Sequence, residues 1–182
     1  GAADDPKEVS RVVSFCQAAC LKNLLNYSTV GTFGGRGMGQ TCGVADPSQW
    51  MRMFGVDIDS RDTTELIKTA ESISTTELKR LHARIGKLFG KAPEPSINER
   101  SMRLYLAIRK IVKQEGWDFY TIQSFPGLAD HYAASCFAQS MMLEDGIGTS
   151  TLGDFNTLLS TLLMTKLSAD PVYYGDLQHL DQ

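Results

Sequence analysis

Five glycines fall within the nine residues from Gly31 to Gly39, in VGTFGGRGMGQTCG, directly behind Ser28-Thr29-Val30. Glycines cluster like this where backbone bends sharply or must approach something closely. A phosphate loop, a sugar-binding loop and a glycine-rich turn all fit that description. The dinucleotide fingerprint G-x-G-x-x-G adds a strand before, a helix after and an acidic residue about twenty positions on. Asp57 lies twenty residues beyond Gly37, but counting from Gly35 and Gly37 the third position is Gln40, and Gly39 falls one residue early. No Gly-Lys-Ser/Thr follows, so the P-loop pattern fails as well. A strand-to-helix crossover satisfies the spacing better than a nucleotide site.

The second group of chemistry-bearing residues runs through FYTIQSFPGLADHY, GTSTLGDFNTLL and VYYGDLQHLDQ. Each places polar residues after a predicted strand end, so Gln123, Asp154 and Asp176 are expected at one edge of a parallel sheet. Carboxylates gathered there bind a divalent cation or shuttle a proton. Asp154 also stands where an N-cap for FNTLLSTLLMTKL belongs, whereas no helix follows Asp176. His131 reads as a surface or capping residue and His179 falls in the last four positions, so neither is assigned a metal.

The elements that must carry these residues alternate along the chain. PKEVSRVVSFCQAACLKNLLN has helical apolar spacing, and YSTVGTF is a strand candidate. DPSQWMRMF reads as a helix with Asp46 as cap and Pro47 at its first position, followed by GVDID as a strand. DTTELIKTAESIS and STTELKRLHARIGKLFG both open with helix-start signatures. KAPEPSINE reads as a linker or turn before the helical RSMRLYLAIRKIVKQEG. WDFYTIQSF is a strand, ADHYAASCFAQSMMLE a helix, GDFNTLLSTLLMTKLS another helix and PVYYGD a last strand. Strands separated by helices imply an α/β three-layer sandwich, with a mostly parallel, Rossmann-like sheet flanked by helices. A single α/β domain, 1–182, is expected.

Composition narrows the classes. The 182 residues are 42% hydrophobic and 21% charged, ordinary for a soluble globular chain. A net charge of -3 and a pI of about 5.6 offer no basic field for nucleic acid. Lys79, Arg80, Arg84 and Lys87 recur at helical spacing and read as a solvated face. No apolar run has membrane length. Cys16, Cys20, Cys42 and Cys136 form no C-x-x-C or framework pattern, which points to free thiols in a reducing, cytosolic setting. Cys16 and Cys20 lie among apolar neighbours, where cysteine favours the interior.

The stretches VGTFGGRGMGQTCGVADPSQWMRMFGVDID, FYTIQSFPGLADHYAASCFAQSMMLEDGIGTSTLGD and DPVYYGD together resemble the L-fucose isomerase/L-arabinose isomerase family. The likeness covers essentially all of this chain but only the middle portion of a family member. It implies the second α/β domain of a longer, homo-oligomeric enzyme that interconverts aldoses and ketoses with a divalent metal, usually Mn²⁺. On this mapping Asp176 matches the metal-binding, catalytic carboxylate, and Asp154 matches the Asp of the preceding Glu-x-Asp segment. The family's Glu falls on Leu152, which can neither bind metal nor accept a proton, and Glu144 and Asp145 lie upstream at a helix end. The glycine stretch becomes a loop lining a sugar pocket, with Arg36, Met38 and Gln123 as substrate contacts. The metal-binding histidine belongs to a later domain, and the chain halts just after VYYGD. The implied partners are a small sugar and the other domains of the polypeptide, with turnover expected only from the intact protein. A non-catalytic carbohydrate-binding or regulatory protein on the same fold is the alternative, motivated by Leu152.

Overall fold

The computed structural model describes residues 4–39, 43–91, 94–168, 170 and 172–173, with the side chains of 95–98 left aside. Four strands form one parallel sheet: β1 (Thr29–Phe33), β2 (Asp57–Arg61), β3 (Phe119–Ile122) and β4 (Thr149–Thr151), in the order β2-β1-β3-β4. The helices among the described residues are α1 (Pro6–Leu25), α2 (Pro47–Phe54), α3 (Thr63–Glu71), α4 (Thr75–Phe89), α5 (Pro95–Glu115), α6 (Ala129–His131), α7 (Cys136–Glu144) and α8 (Phe155–Ser168).

Alternation along the strands assigns each side chain to a layer. Phe33, Tyr120 and Ile122 enter a large core with Leu66, Leu104, Ile108 and Met141, contributed by α3, α5 and α7. Val30 and Phe119 face the other way, into a smaller core with Leu25, Trp50, Leu158 and Leu162 from α1, α2 and α8 and with Val56, just before β2. The sheet is therefore covered on both faces, and the three-layer α/β sandwich read from the sequence is the observed architecture. Gly31 has a packing reason: a Cβ there would lie 1.8 Å from Cε3 of Trp117.

Local signals set the helix starts. Asp46 accepts from the backbone N–H groups of Ser48 and Gln49, with Pro47 at the first position of α2. Ser74 and Glu77 form a reciprocal capping box at α4, and its hydrogen bonds hold the Glu77 carboxyl below the usual range. The cationic face of α4 is not uniformly solvated: Arg84 donates to Asp145 at 2.7 Å and to the Tyr105 hydroxyl at 2.6 Å.

Four expectations need correction. α5 begins at Pro95, so the end of the KAPEPSINE linker is helical. ADHYAASCFAQSMMLE is two helices separated at Tyr132–Ser135. Tyr132 is buried at that break, and the Ser135 hydroxyl bonds Ser124 and Gln139, both satisfied by a bend. Cys16 and Cys20 are exposed rather than interior, because α1 buries only Leu25. β2 starts two residues later than GVDID suggests, since Gly55 is the left-handed C-cap of α2. The expected last strand, PVYYGD, lies outside the described residues apart from Val172 and Tyr173.

Candidate functional site

In an open parallel sheet, ligands bind beyond the carboxyl ends of the strands where the strand order reverses. With the order β2-β1-β3-β4, that point lies between β1 and β3. The loop after β1 carries Gly34 to Gly39, and the loop after β3 opens with Gln123. The two are joined directly, because the Gly35 N–H donates to Gln123 Oε1 at 2.9 Å.

Three backbone donors of the glycine loop, those of Gly34, Gly35 and Gly37, are spent internally. Gly34 N–H goes to the Arg61 carbonyl at 3.0 Å and Gly37 N–H to the Leu152 carbonyl at 3.0 Å. A phosphate cradle needs such groups free and aimed at the ligand, and Gly34, Gly35 and Gly37 offer none. The glycines serve close approach between loops. A Cβ on Gly37 would lie 3.1 Å from the Leu152 backbone, one on Gly43 2.9 Å from the Asp154 Cα, and one on Gly153 2.8 Å from the Gly35 carbonyl oxygen. Asp57 is also misplaced for a ribose contact. It opens β2 opposite Thr29, at the strand's amino end, and its carboxylate accepts from its neighbour's N–H.

Sequence-expected residues divide cleanly. Arg36 and Met38 are exposed on the crest loop, with Met38 in the left-handed region at φ 51°. Gln123 is half-buried beside them, its Oε1 committed to Gly35, so its NH₂ is what it can offer a ligand. Asp154 is a helix cap: Oδ1 accepts from Thr157 N–H at 3.0 Å and Oδ2 from the Thr157 hydroxyl at 2.7 Å. Leu152 adopts φ 62°, and its N–H donates to the Ile122 carbonyl at 2.9 Å. His131 is exposed on α6. Asp176 and His179 lie outside the described residues.

Two crest carboxylates, Asp154 and Asp62, lie just beyond strand ends, and both cap helices. Asp62, after β2, accepts from the N–H and hydroxyl of Thr64, and those bonds hold its carboxyl below the usual range. Asp145 offers no replacement for a carboxylate at 152. It precedes β4, at the opposite end of the sheet, and is held by Arg84, Arg109 and the Tyr105 hydroxyl. Among the described residues no three of His, Cys, Asp and Glu are grouped to hold a metal ion.

Several contributors went unnoticed in the sequence. Ser124, next to Gln123, hydrogen-bonds to Ser135, and Gln139 reaches both hydroxyls, all three buried. This cluster ties the loop after β3 to α7 and fixes where Gln123 begins. Phe125 sits at the same loop and is 43% exposed, an apolar surface beside Gln123. The four-residue spacing of Ser135 and Gln139 was the one available hint.

The crest thus offers an amide NH₂, a guanidinium and two exposed apolar side chains on a braced backbone, groups suited to hydroxyls and carbon faces of a small polar ligand. No helix of the described residues is long and apolar enough to cross a membrane. No family model matches the chain. Over its whole length the chain is similar to a sugar isomerase, the sulfoquinovose isomerase of Clostridium sp. (strain MSTE9), at 25% identity over 185 residues, and it spans 41% of that relative's length.

Proposed function

We propose that this chain is the sugar-holding α/β domain of an aldose–ketose isomerase of the L-fucose/L-arabinose type, working in the cytosol as part of a longer polypeptide. What carries the reading is the coincidence of a braced crest at the β1/β3 switch point with likeness to a sugar isomerase along the whole chain. Gln123 donates to a sugar hydroxyl, Met38 and Phe125 cover its carbon face, and Arg36 meets an oxyanion. A sulfonated hexose like that named for the relative would use all four.

Isomerisation moves a proton between C1 and C2 through an ene-diol, which needs a base and a group that polarises the oxygens. The described residues do not fit a divalent cation, since Asp154 spends both oxygens on α8 and Leu152 has no donor atom. In this proposal Mn²⁺ falls to Asp176, outside the described residues, and to ligands from elsewhere in the polypeptide. The work assigned to the described residues is to bind and orient the sugar.

Calorimetry of residues 1–182 against hexoses and their 6-sulfonates tests this. Binding without turnover is expected, with Gln123→Ala and Arg36→Ala each weakening it roughly 5- to 10-fold. Failure of every sugar to bind would sink the sugar reading. Mn²⁺-dependent turnover by residues 1–182 alone would sink the division of labour.

Leu152 favours a second reading, a non-catalytic carbohydrate-binding protein on the same fold. Leu152→Glu in the longest available polypeptide separates the two. An unchanged Mn²⁺ affinity supports the binding protein, and a large gain supports an isomerase site that has lost one ligand.

A further inference from the structure

Asp62 starts α3 without help from the side chain that follows it. Its carboxylate accepts from the N–H and hydroxyl of Thr64, and its carbonyl accepts from the N–H groups of Glu65 and Leu66. Thr63 stands between these residues and adds no side-chain bond to the cap. Among the described residues, the buried side-chain polar atoms without a partner are the hydroxyls of Tyr120 and Tyr132. Thr63 is half-buried, and its hydroxyl, bonded to none of the described residues, is therefore open to solvent rather than sealed in protein.

The sheet order decides what that hydroxyl faces. β1 lies between β2 and β3, so the loop after β1 is flanked by residues that follow β2 on one side and β3 on the other. Gly34 N–H donates to the Arg61 carbonyl and Gln123 N–H to the Phe33 carbonyl, which holds the three strand ends level. A Cβ on Gly34 would lie 2.7 Å from Thr63 Oγ1 and 3.0 Å from Gln123 Oε1. Thr63 and Gln123 thus close on one point across β1, and glycine at 34 leaves that point open. Their chemistry is complementary. With its Oε1 held by Gly35, Gln123 has an NH₂ that only donates, whereas a threonine hydroxyl both donates and accepts. A sugar hydroxyl offers the matching pair, a lone pair for the amide and a proton for the threonine oxygen.

We propose that Thr63 is a specificity-determining residue of the crest. One hydroxyl of the bound sugar stands over Gly34, accepting from Gln123 Nε2 and donating to Thr63 Oγ1. This rests on the sugar reading above and adds to it the point at which the configuration of the ring is read. An epimer that turns this hydroxyl away leaves both side chains without their shared partner, a loss that falls on discrimination between sugars. Arg36, Met38 and Phe125 do not depend on that hydroxyl, so they bind either epimer.

Calorimetry of residues 1–182 with the hexose 6-sulfonate that binds tightest, and with its monodeoxy derivatives, tests this. Thr63→Val keeps the shape and loses the hydroxyl, so it should weaken the parent sugar roughly 5- to 10-fold, while Thr63→Ser should stay within about twofold. On one deoxy derivative Thr63→Val should cause no further loss, and Gln123→Ala should lose its effect on that same derivative. A uniform loss across the whole series would give Thr63 a merely structural part and overturn the proposal. Indifference to Thr63→Val, or compensation at different ring positions for the two variants, would overturn it as well. If the unaltered chain binds none of these sugars, the sugar reading itself falls and takes this inference with it.

Discussion

Asp154 is the residue for which a structural and a catalytic role make opposite predictions. Its carboxylate bonds both the N–H and the hydroxyl of Thr157, at the start of a helix that buries Leu158 and Leu162. Removing an N-cap costs about 1 kcal/mol, within a range of about 0.5–2. Losing a negative charge from a helix start adds about 0.3–1 kcal/mol. Asp154→Ala should therefore cost roughly 1.5–2.5 kcal/mol, which for a chain of this length lowers Tm by roughly 4–8 °C. Asp154→Asn keeps an acceptor and loses only the charge, so it should cost about 0.5 kcal/mol. Urea denaturation followed by far-ultraviolet circular dichroism measures both, and calorimetry with the sugar should show Asp154→Asn unchanged within about twofold. An Ala variant as stable as the parent, or an Asn variant that folds normally but loses the sugar, would refute the capping argument.

Gly31→Ala should destabilise the chain by about 3 kcal/mol, at the top of the range for overpacking. The new methyl would overlap Trp117, whose indole N–H is held by Asp59 at 2.9 Å. Urea midpoints should show the loss, and Trp117→Leu in the same chain should recover part of it. Burial, and then the hydrogen bond to Asp145, push the Tyr105 hydroxyl up to about 12. A pKa raised above the ordinary value of about 10 means the folded chain retains the proton longer. The stability so contributed is complete below about pH 10 and lost between about pH 10 and 12. Titrating phenolate absorbance alongside urea midpoints checks this, and Asp145→Asn should narrow the window.

The fold was legible wherever the signal was local. Asp46-Pro47 and Ser74…Glu77 marked helix starts because caps act within four residues. Alternating strands and helices gave the covered parallel sheet for the same reason. The signal weakened where a partner distant in sequence decides. Cys16 and Cys20 sit on an apolar stripe, and periodicity shows that α1 has a face without saying whether this chain covers it. The break at Tyr132–Ser135 depends on a hydroxyl contact with Ser124, eleven residues away. At the crest, Gln123 was recognisable because it follows a strand. The purpose of the glycines was not, since the atoms they make room for belong to Leu152, Gly153 and Asp154, more than a hundred residues later.

That lacing bears on how such a site can change. Gly35 is tied to Gln123, Gly37 donates its N–H to the Leu152 carbonyl, and Gly153 lies against the Gly35 carbonyl. With Gly34 also bonded to the Arg61 carbonyl, the loop is tied to the ends of β2, β3 and β4 and cannot swing aside as a lid without breaking those bonds. A change of ligand preference therefore has to come from what the stitched backbone displays, above all Arg36 and Met38. The crest behaves as a fixed plate carrying exchangeable side chains, and variants at those two positions can be compared on an unchanged scaffold.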